Sequence, residues 1–227
     1  MPLLLFHGGF GSIHDFQKVI PELAKHFRVI AIDSPSEGRS GQTDTLCYQL
    51  LADYYSEFID KMRLDSVYVI GWSDGGNSAL LLAYGRPDKI KKVIISGTNS
   101  DTDGYAPGGT ESIGSWNLQT AKTDFKDWVA DYIQRSPQKG NWEQTFWNLK
   151  KMWLTKLVIS NDKLGLIKSK FLIVLGDNDF ITLEHGITLY HKIKGSEFCV
   201  LPNTTHQVFK ERPELINNIG IDFFAGK

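Results

Sequence analysis

The segment Gly71-Trp72-Ser73-Asp74-Gly75 carries the spacing G-x-S-x-G, with Gly76 directly after it. A serine hydroxyl is a poor nucleophile at its ordinary pKa, so the chemistry open to this spacing is attack of Ser73 on a carbonyl carbon with help from a base. Flanking glycines let the backbone close around such a serine at a tight strand-to-helix corner. The helix N-terminus that follows offers N–H groups to a developing negative charge. The motif alone is weak; its place between an apolar run, from Val67 to Ile70, and a helix-period segment is what makes it informative.

A base and an orienting acid must then come from elsewhere, preferably from the carboxyl ends of later strands. Gly176-Asp177-Asn178-Asp179-Phe180-Ile181 follows one late apolar run, and Pro202-Asn203-Thr204-Thr205-His206 follows the last. His206 is the expected general base, because His14, His26, His185 and His191 read as helical surface positions and His7 as a brace for its own loop. Asp179 is the expected acid. Asp177, two residues earlier, and Asp101 or Asp103, beyond the preceding strand, are the alternatives.

After the first apolar run comes His7-Gly8-Gly9-Phe10-Gly11. A glycine turn here can aim one backbone N–H at the point reached by the N–H of Asp74, supplying the two donors of an oxyanion hole; Gly9 is the expected donor and Phe10 the next. The competing reading is a plain turn followed by an N-cap from Ser12. The Asp74 side chain also has two readings. At about 7 Å and an effective dielectric near 20 its charge would oppose the oxyanion by about 2 kcal/mol, a penalty that a substrate ammonium would remove. Alternatively it points away and stabilises the first turn of the helix through the macrodipole.

The elements that must hold these residues alternate regularly. Strands are expected over 3–6, 28–32, 66–70, 92–96, 171–175 and 197–201, each a nearly continuous apolar run of the kind buried on both faces of a parallel sheet. Helices are expected over 15–26, 46–63, 75–84, 183–194 and 213–224. The order describes an α/β fold, a mainly parallel sheet covered by helices on both faces. Residues 99–170 interrupt it, opening with a flexible stretch over 99–115, and are expected to form a helical lid on a core made of 1–98 and 171–227. Phe125, Trp128, Val129, Tyr132 and Ile133 share one helical face in the insert, as do Trp142, Phe146, Leu149 and Trp153. Five of the six tryptophans fall there, so Trp147 and Trp153, with Phe10 and Asp74, are expected to bind substrate.

With 25 Lys and Arg against 26 Asp and Glu, the balance disfavours nucleic acid as a partner, and 41% hydrophobic residues suffice for a sizeable core. Cys47 and Cys199 are the only cysteines, which excludes a disulfide scaffold and CxxC-type metal clusters and fits a reducing compartment. No apolar stretch is long enough for a signal or a span, so a cytoplasmic protein with no membrane partner, metal or other cofactor is expected.

Taken together, the motifs resemble the α/β-hydrolase superfamily. They comprise HGG after the first strand, Asp33 with Gly38-Arg39-Ser40 after the second, GWSDGG, GDND, and His206 followed by Glu211-Arg212-Pro213, in the chain order Ser73, Asp179, His206. GWSDGG is similar to the valacyclovir-hydrolase or biphenyl-hydrolase-like branch. That resemblance implies a serine hydrolase cleaving a small-molecule carboxylic ester or amide, with Asp74 recognising the amino group of an amino-acid ester. Carbon–carbon bond hydrolysis, acyl transfer and a low-turnover ligand receptor on the same scaffold remain as alternatives. A serine at position 73 argues against the haloalkane dehalogenases and epoxide hydrolases of similar fold, which use an aspartate. Three departures stand out. Asp33-Ser34-Pro35-Ser36-Glu37-Gly38 lacks the arginine and first glycine of the usual D-x-R-G-x-G, Thr205 precedes His206 where glycine is common, and against the family's pattern the sequence starts almost at the third strand, so a less protected sheet edge is expected.

Overall fold

The computed structural model describes residues 1–226. Six strands, β1 (Pro2–Phe6), β2 (Arg28–Ile32), β3 (Val67–Trp72), β4 (Ile90–Ser96), β5 (Lys170–Gly176) and β6 (Glu197–Leu201), form one sheet in the order β2-β1-β3-β4-β5-β6. Every pairing is parallel. Alternate side chains enter opposite layers: Leu4, Phe6, Val69, Val93, Ile95, Phe171 and Ile173 join one core, while Leu3, Leu5, Ile70, Ile94, Leu172 and Val174 join the other. Because both faces are covered, the strands read as unbroken apolar runs.

The helices flanking the strands are α1 (Ile20–Leu23), α2 (Tyr48–Lys61) and α3 (Asp74–Gly85). The expected helix over 15–26 is not continuous: a 3₁₀ turn at Ile13–Phe16 is followed only by the single turn of α1. Pro21 is the reason, since it offers no N–H to the Gln17 carbonyl one turn earlier and so fits only the first turn of a helix. Cys47 lies outside α2 as its N-cap, accepting the Leu50 N–H on sulfur.

Between β4 and β5 run α4 (Gly109–Ser115), α5 (Leu118–Thr123), α6 (Lys126–Arg135), α7 (Trp142–Trp153) and α8 (Asn161–Leu164). The stretch expected to be flexible is instead anchored where it begins. Asn99 and Ser100 are buried, the Asn99 and Asn77 side chains pair at 3.0 Å, and the Ser100 N–H donates to His185 Nε2 at 2.9 Å. After β5 come α9 (Leu183–Lys192), α10 (Val208–Glu211) and α11 (Pro213–Ala225). Among the described residues no helix is long and apolar enough to cross a membrane.

Candidate active site

Ser73 stands between β3 and α3 with φ 54° and ψ −118°, a left-handed-side conformation that costs a non-glycine residue on the order of 1–3 kcal/mol. Close glycine packing holds it there. A Cβ on Gly75 would run into the Phe6 carbonyl, and one on Gly71 would lie 2.6 Å from the Gly75 oxygen. The Ser73 N–H donates to the Ser96 carbonyl at 2.8 Å, and the Gly75 N–H to the His7 carbonyl at 3.1 Å.

The loop after β6 brings His206 to the same edge. Its Nδ1 lies 2.8 Å from Asp179 Oδ1, and the Asp179 side chain is fully buried. A carboxylate oxygen accepts, so Nδ1 is the donor of this bond and Nε2 is the ring nitrogen that takes no part in it. The Ile181 N–H donates to the same Oδ1 at 2.9 Å, and the Trp72 indole N–H holds the His206 carbonyl at 2.8 Å. Asp177 does something else: its oxygens accept the N–H groups of Asn203 and Thr204, both at 2.9 Å, bonds that hold its carboxyl below the usual range. It fixes the histidine loop rather than the ring. Asp101 accepts from Ser100 and from the Asp103 N–H, and neither Asp101 nor Asp103 is bonded to His206.

One residue of this arrangement went unread in the sequence. Gly97, φ 58°, lies under the pair, and a Cβ there would lie 2.6 Å from His206 Nδ1. A glycine at the carboxyl end of a central strand, directly after Ser96, was the available signal.

In the loop after β1, His7 Nε2 accepts the Ser34 N–H at 2.9 Å, so Nδ1 carries the proton and donates to the Gly8 carbonyl at 2.7 Å. The Gly11 N–H bonds the same carbonyl and the Glu37 carboxyl. Glu37 is buried, and burial with the nearby Asp74 charge raises its pKa well above the carboxylate range. Ser36 takes φ 66° where the superfamily pattern has glycine, so the loop keeps a left-handed turn despite the departure.

Asp74 does not simply point away. Its Oδ1 accepts the Tyr48 hydroxyl at 3.0 Å and its Oδ2 the Trp153 indole N–H at 2.7 Å. Burial pushes its pKa up to about 6, against the pull of those two donors.

Ser73, Asp74, His206, Gly9, Phe10 and Trp153 line one cavity of about 580 Å³. Trp147 is not part of it and must be corrected: it is 44% exposed, with Lys150 Nζ over its ring at 5.3 Å. Trp142, Phe146, Leu149 and Trp153 turn inward on α7, and Trp147 sits about 100° round the helix from Phe146. Trp116 and Trp128 line the cavity instead. Its lysine and arginine side chains are already paired, Arg135 with Asp131 and Lys210 with Asp15, each at 2.7 Å.

Comparison with known proteins finds relatives that are named as hydrolases. The chain is 27% identical to the serine hydrolase BPHL of Homo sapiens, over 97% of this chain and 78% of that protein. It is 25% identical to a 2-hydroxy-6-oxo-6-phenylhexa-2,4-dienoate hydrolase of Burkholderia cepacia, over 98% and 87%. A meta-cleavage product hydrolase from Pseudomonas fluorescens superposes with a TM-score of 0.85 at 18% identity, covering 100% of this chain and 91% of its own. The profile of the alpha/beta hydrolase fold family matches residues 1–137, more than half of the 227. With that match, on a six-stranded parallel sheet covered on both faces, the chain belongs to the α/β hydrolase fold family.

Proposed function

We propose that the protein is a serine hydrolase that cleaves a small-molecule carboxylic ester or amide through an acyl-enzyme on Ser73. The observation that carries this reading is that His206, paired behind the wall with the buried Asp179, lines the same cavity as the strained Ser73. Ser73 Oγ attacks the carbonyl carbon while His206 Nε2 takes the hydroxyl proton, and Asp179 stabilises the imidazolium so formed. The negative oxygen is received by the N–H groups of Gly9 and Asp74. Collapse breaks the bond to the leaving group, which takes the proton from His206 as alcohol or amine. Water then attacks the acyl-enzyme with His206 again as base, releasing the carboxylic acid and restoring Ser73.

The segment 99–170 acts as a lid on the core of 1–98 and 171–227, with Trp153 and Phe10 against the substrate. The finer reading of the substrate is an amine next to the scissile carbonyl, held by Asp74. Carbon–carbon bond hydrolysis of a dienoate, the kind of compound printed in one relative's name, would call for a cation to receive the carboxylate. Arg135 and Lys210 are already paired, and the side chain beside Ser73 is itself an acid, so the ester or amide reading is favoured.

A fluorophosphonate that labels Ser73, together with steady-state turnover of short p-nitrophenyl esters, tests the reaction; labelling with no turnover would point to a receptor. For the amine, kcat/KM is compared between an aminoacyl ester and its desamino analogue. The parent is expected to prefer the amine by about tenfold or more and Asp74→Asn to lose the preference, since a close charge pair of low exposure is worth at least ~1.4 kcal/mol. Only the ionised carboxylate attracts the ammonium, so the preference is present above pH 6 or so and falls as the pH drops through the Asp74 value of about 6. A pH-independent ratio that Asp74→Asn leaves unchanged would remove the amine from the reading.

A further inference from the structure

Trp153 is the last residue of α7, and its indole reaches out of the helical segment to the serine corner, where its N–H meets Asp74 Oδ2 at 2.7 Å. The same ring lies against Gly9: a Cβ on that glycine would be 2.8 Å from Trp153 Cζ2 and would collide with Asp74 Oδ2. Three separate stretches of chain therefore meet at one point: the loop after β1, the start of α3 and the end of α7. The indole is itself braced. The Tyr105 hydroxyl donates to the Trp153 carbonyl at 3.1 Å, and Trp116 packs edge-on at 5.9 Å between centroids.

We propose that Trp153 is a positioning residue of the oxyanion site: its N–H holds the Asp74 carboxylate off the Gly9 and Asp74 backbone donors, while its ring fixes Gly9. The inference rests on the reading that those two N–H groups receive the oxyanion. A carboxylate placed beside Gly9 is a competitor for that N–H and a like charge to the oxygen that must bind there. Giving one of its oxygens to an indole and the other to Tyr48 directs its lone pairs elsewhere. The helical segment then completes the reacting centre as well as covering it, and a charge useful for recognition is kept next to the nucleophile at little expense in rate.

The test uses p-nitrophenyl acetate, a neutral ester, so that recognition of an amine plays no part. Trp153→Phe keeps the ring and deletes the donor. The expected result is a kcat lower by about tenfold with KM within about twofold, the mark of an interaction that acts in the transition state. In the Asp74→Asn background the same substitution is expected to change kcat by less than about twofold, because no charge is left to restrain. Trp153→His, which retains a ring N–H, is expected to recover part of the loss and covers the case in which Trp153→Phe fails to fold.

The parent-to-variant ratio of kcat should also grow with pH. Losing the indole donor raises the Asp74 pKa above its value of about 6, and the unrestrained side chain obstructs only once ionised. Tyr48, Tyr105, Glu37, His7 and His206 also face Asp74, and because they are common to both proteins their titration cancels in the ratio. An unchanged kcat in Trp153→Phe, an equal loss in the Asp74→Asn background, or a loss confined to KM would each overturn the proposal. A parent with no turnover of the ester would instead fail the hydrolase reading itself.

Discussion

Ser73→Ala and His206→Ala are each expected to lower kcat by at least about 10³-fold, and the double variant to be little worse than either. The reason lies in how the two side chains would work. Without His206 the Ser73 hydroxyl keeps its proton and attacks no faster than any alcohol; without Ser73 the imidazole has nothing to activate. Removing the second member of such a unit therefore takes away a contribution already lost, leaving what binding and the oxyanion donors supply. Release of p-nitrophenol measures the rate. The mass of a fluorophosphonate adduct shows whether the nucleophile is still present, and it should vanish in Ser73→Ala and form slowly in His206→Ala. Near-additive losses would assign the chemistry to other residues. Alanine at position 73 inherits the same positive φ, so melting temperature should move little and the rate loss cannot be put down to unfolding.

The second large effect belongs to Asp179. Asp179→Ala is expected to cost on the order of 10⁴-fold in kcat, because it leaves Nδ1–H of His206 without an acceptor and the imidazolium without its counter-charge. Asp179→Asn should cost less than alanine, for a reason particular to this site. The Ile181 N–H donates to the same oxygen that receives the histidine, so it holds the amide oxygen, not the NH₂, toward the ring and preserves the tautomer. What remains lost is the charge. Asp101→Ala should leave kcat within a few-fold, since that carboxylate bonds Ser100 and Asp103. Kinetics of the three variants on one ester decide it; a full rate in Asp179→Ala with a collapse in Asp101→Ala would move the acid to the loop after β4.

How much of this was legible beforehand depends on whether the cause was local. The six strands could be read because burial on both faces leaves an unbroken apolar run, and bounds differed only by a residue or two at their ends. The stretch over 15–26 could not be read from periodicity alone, since Pro21 interrupts a pattern that otherwise suits a helix. α4, α5 and α8 are too short to show several turns of any period. At the site, Ser73, Asp179 and His206 stood out because each follows a strand, and the structure joins the last two directly. The partners of Asp74 were hidden. Tyr48 and Trp153 are 26 and 79 residues away, and only the folded chain brings them to one carboxylate. Trp147 misled for a related reason: its type suggested substrate, while its phase on α7 turns it to solvent.

The clustering of tryptophans has an optical consequence. Trp116, Trp128, Trp142, Trp147 and Trp153 all lie between β4 and β5, and Trp72 alone lies on the sheet. Intrinsic emission of this protein is therefore dominated by one segment, whereas far-ultraviolet dichroism sums over every helix and strand. The two signals look at different parts of the molecule. Phe125 stacks on Trp128 at 4.8 Å and meets Trp116 at 4.6 Å, and Trp116 in turn meets Trp153. Aromatic rings thus run without a break from the Asp74 carboxylate to Trp128, which is 38% exposed. A ligand that touches Trp153 changes the surroundings of the first ring in that series, so occupancy of the cavity can be followed by emission with no added dye.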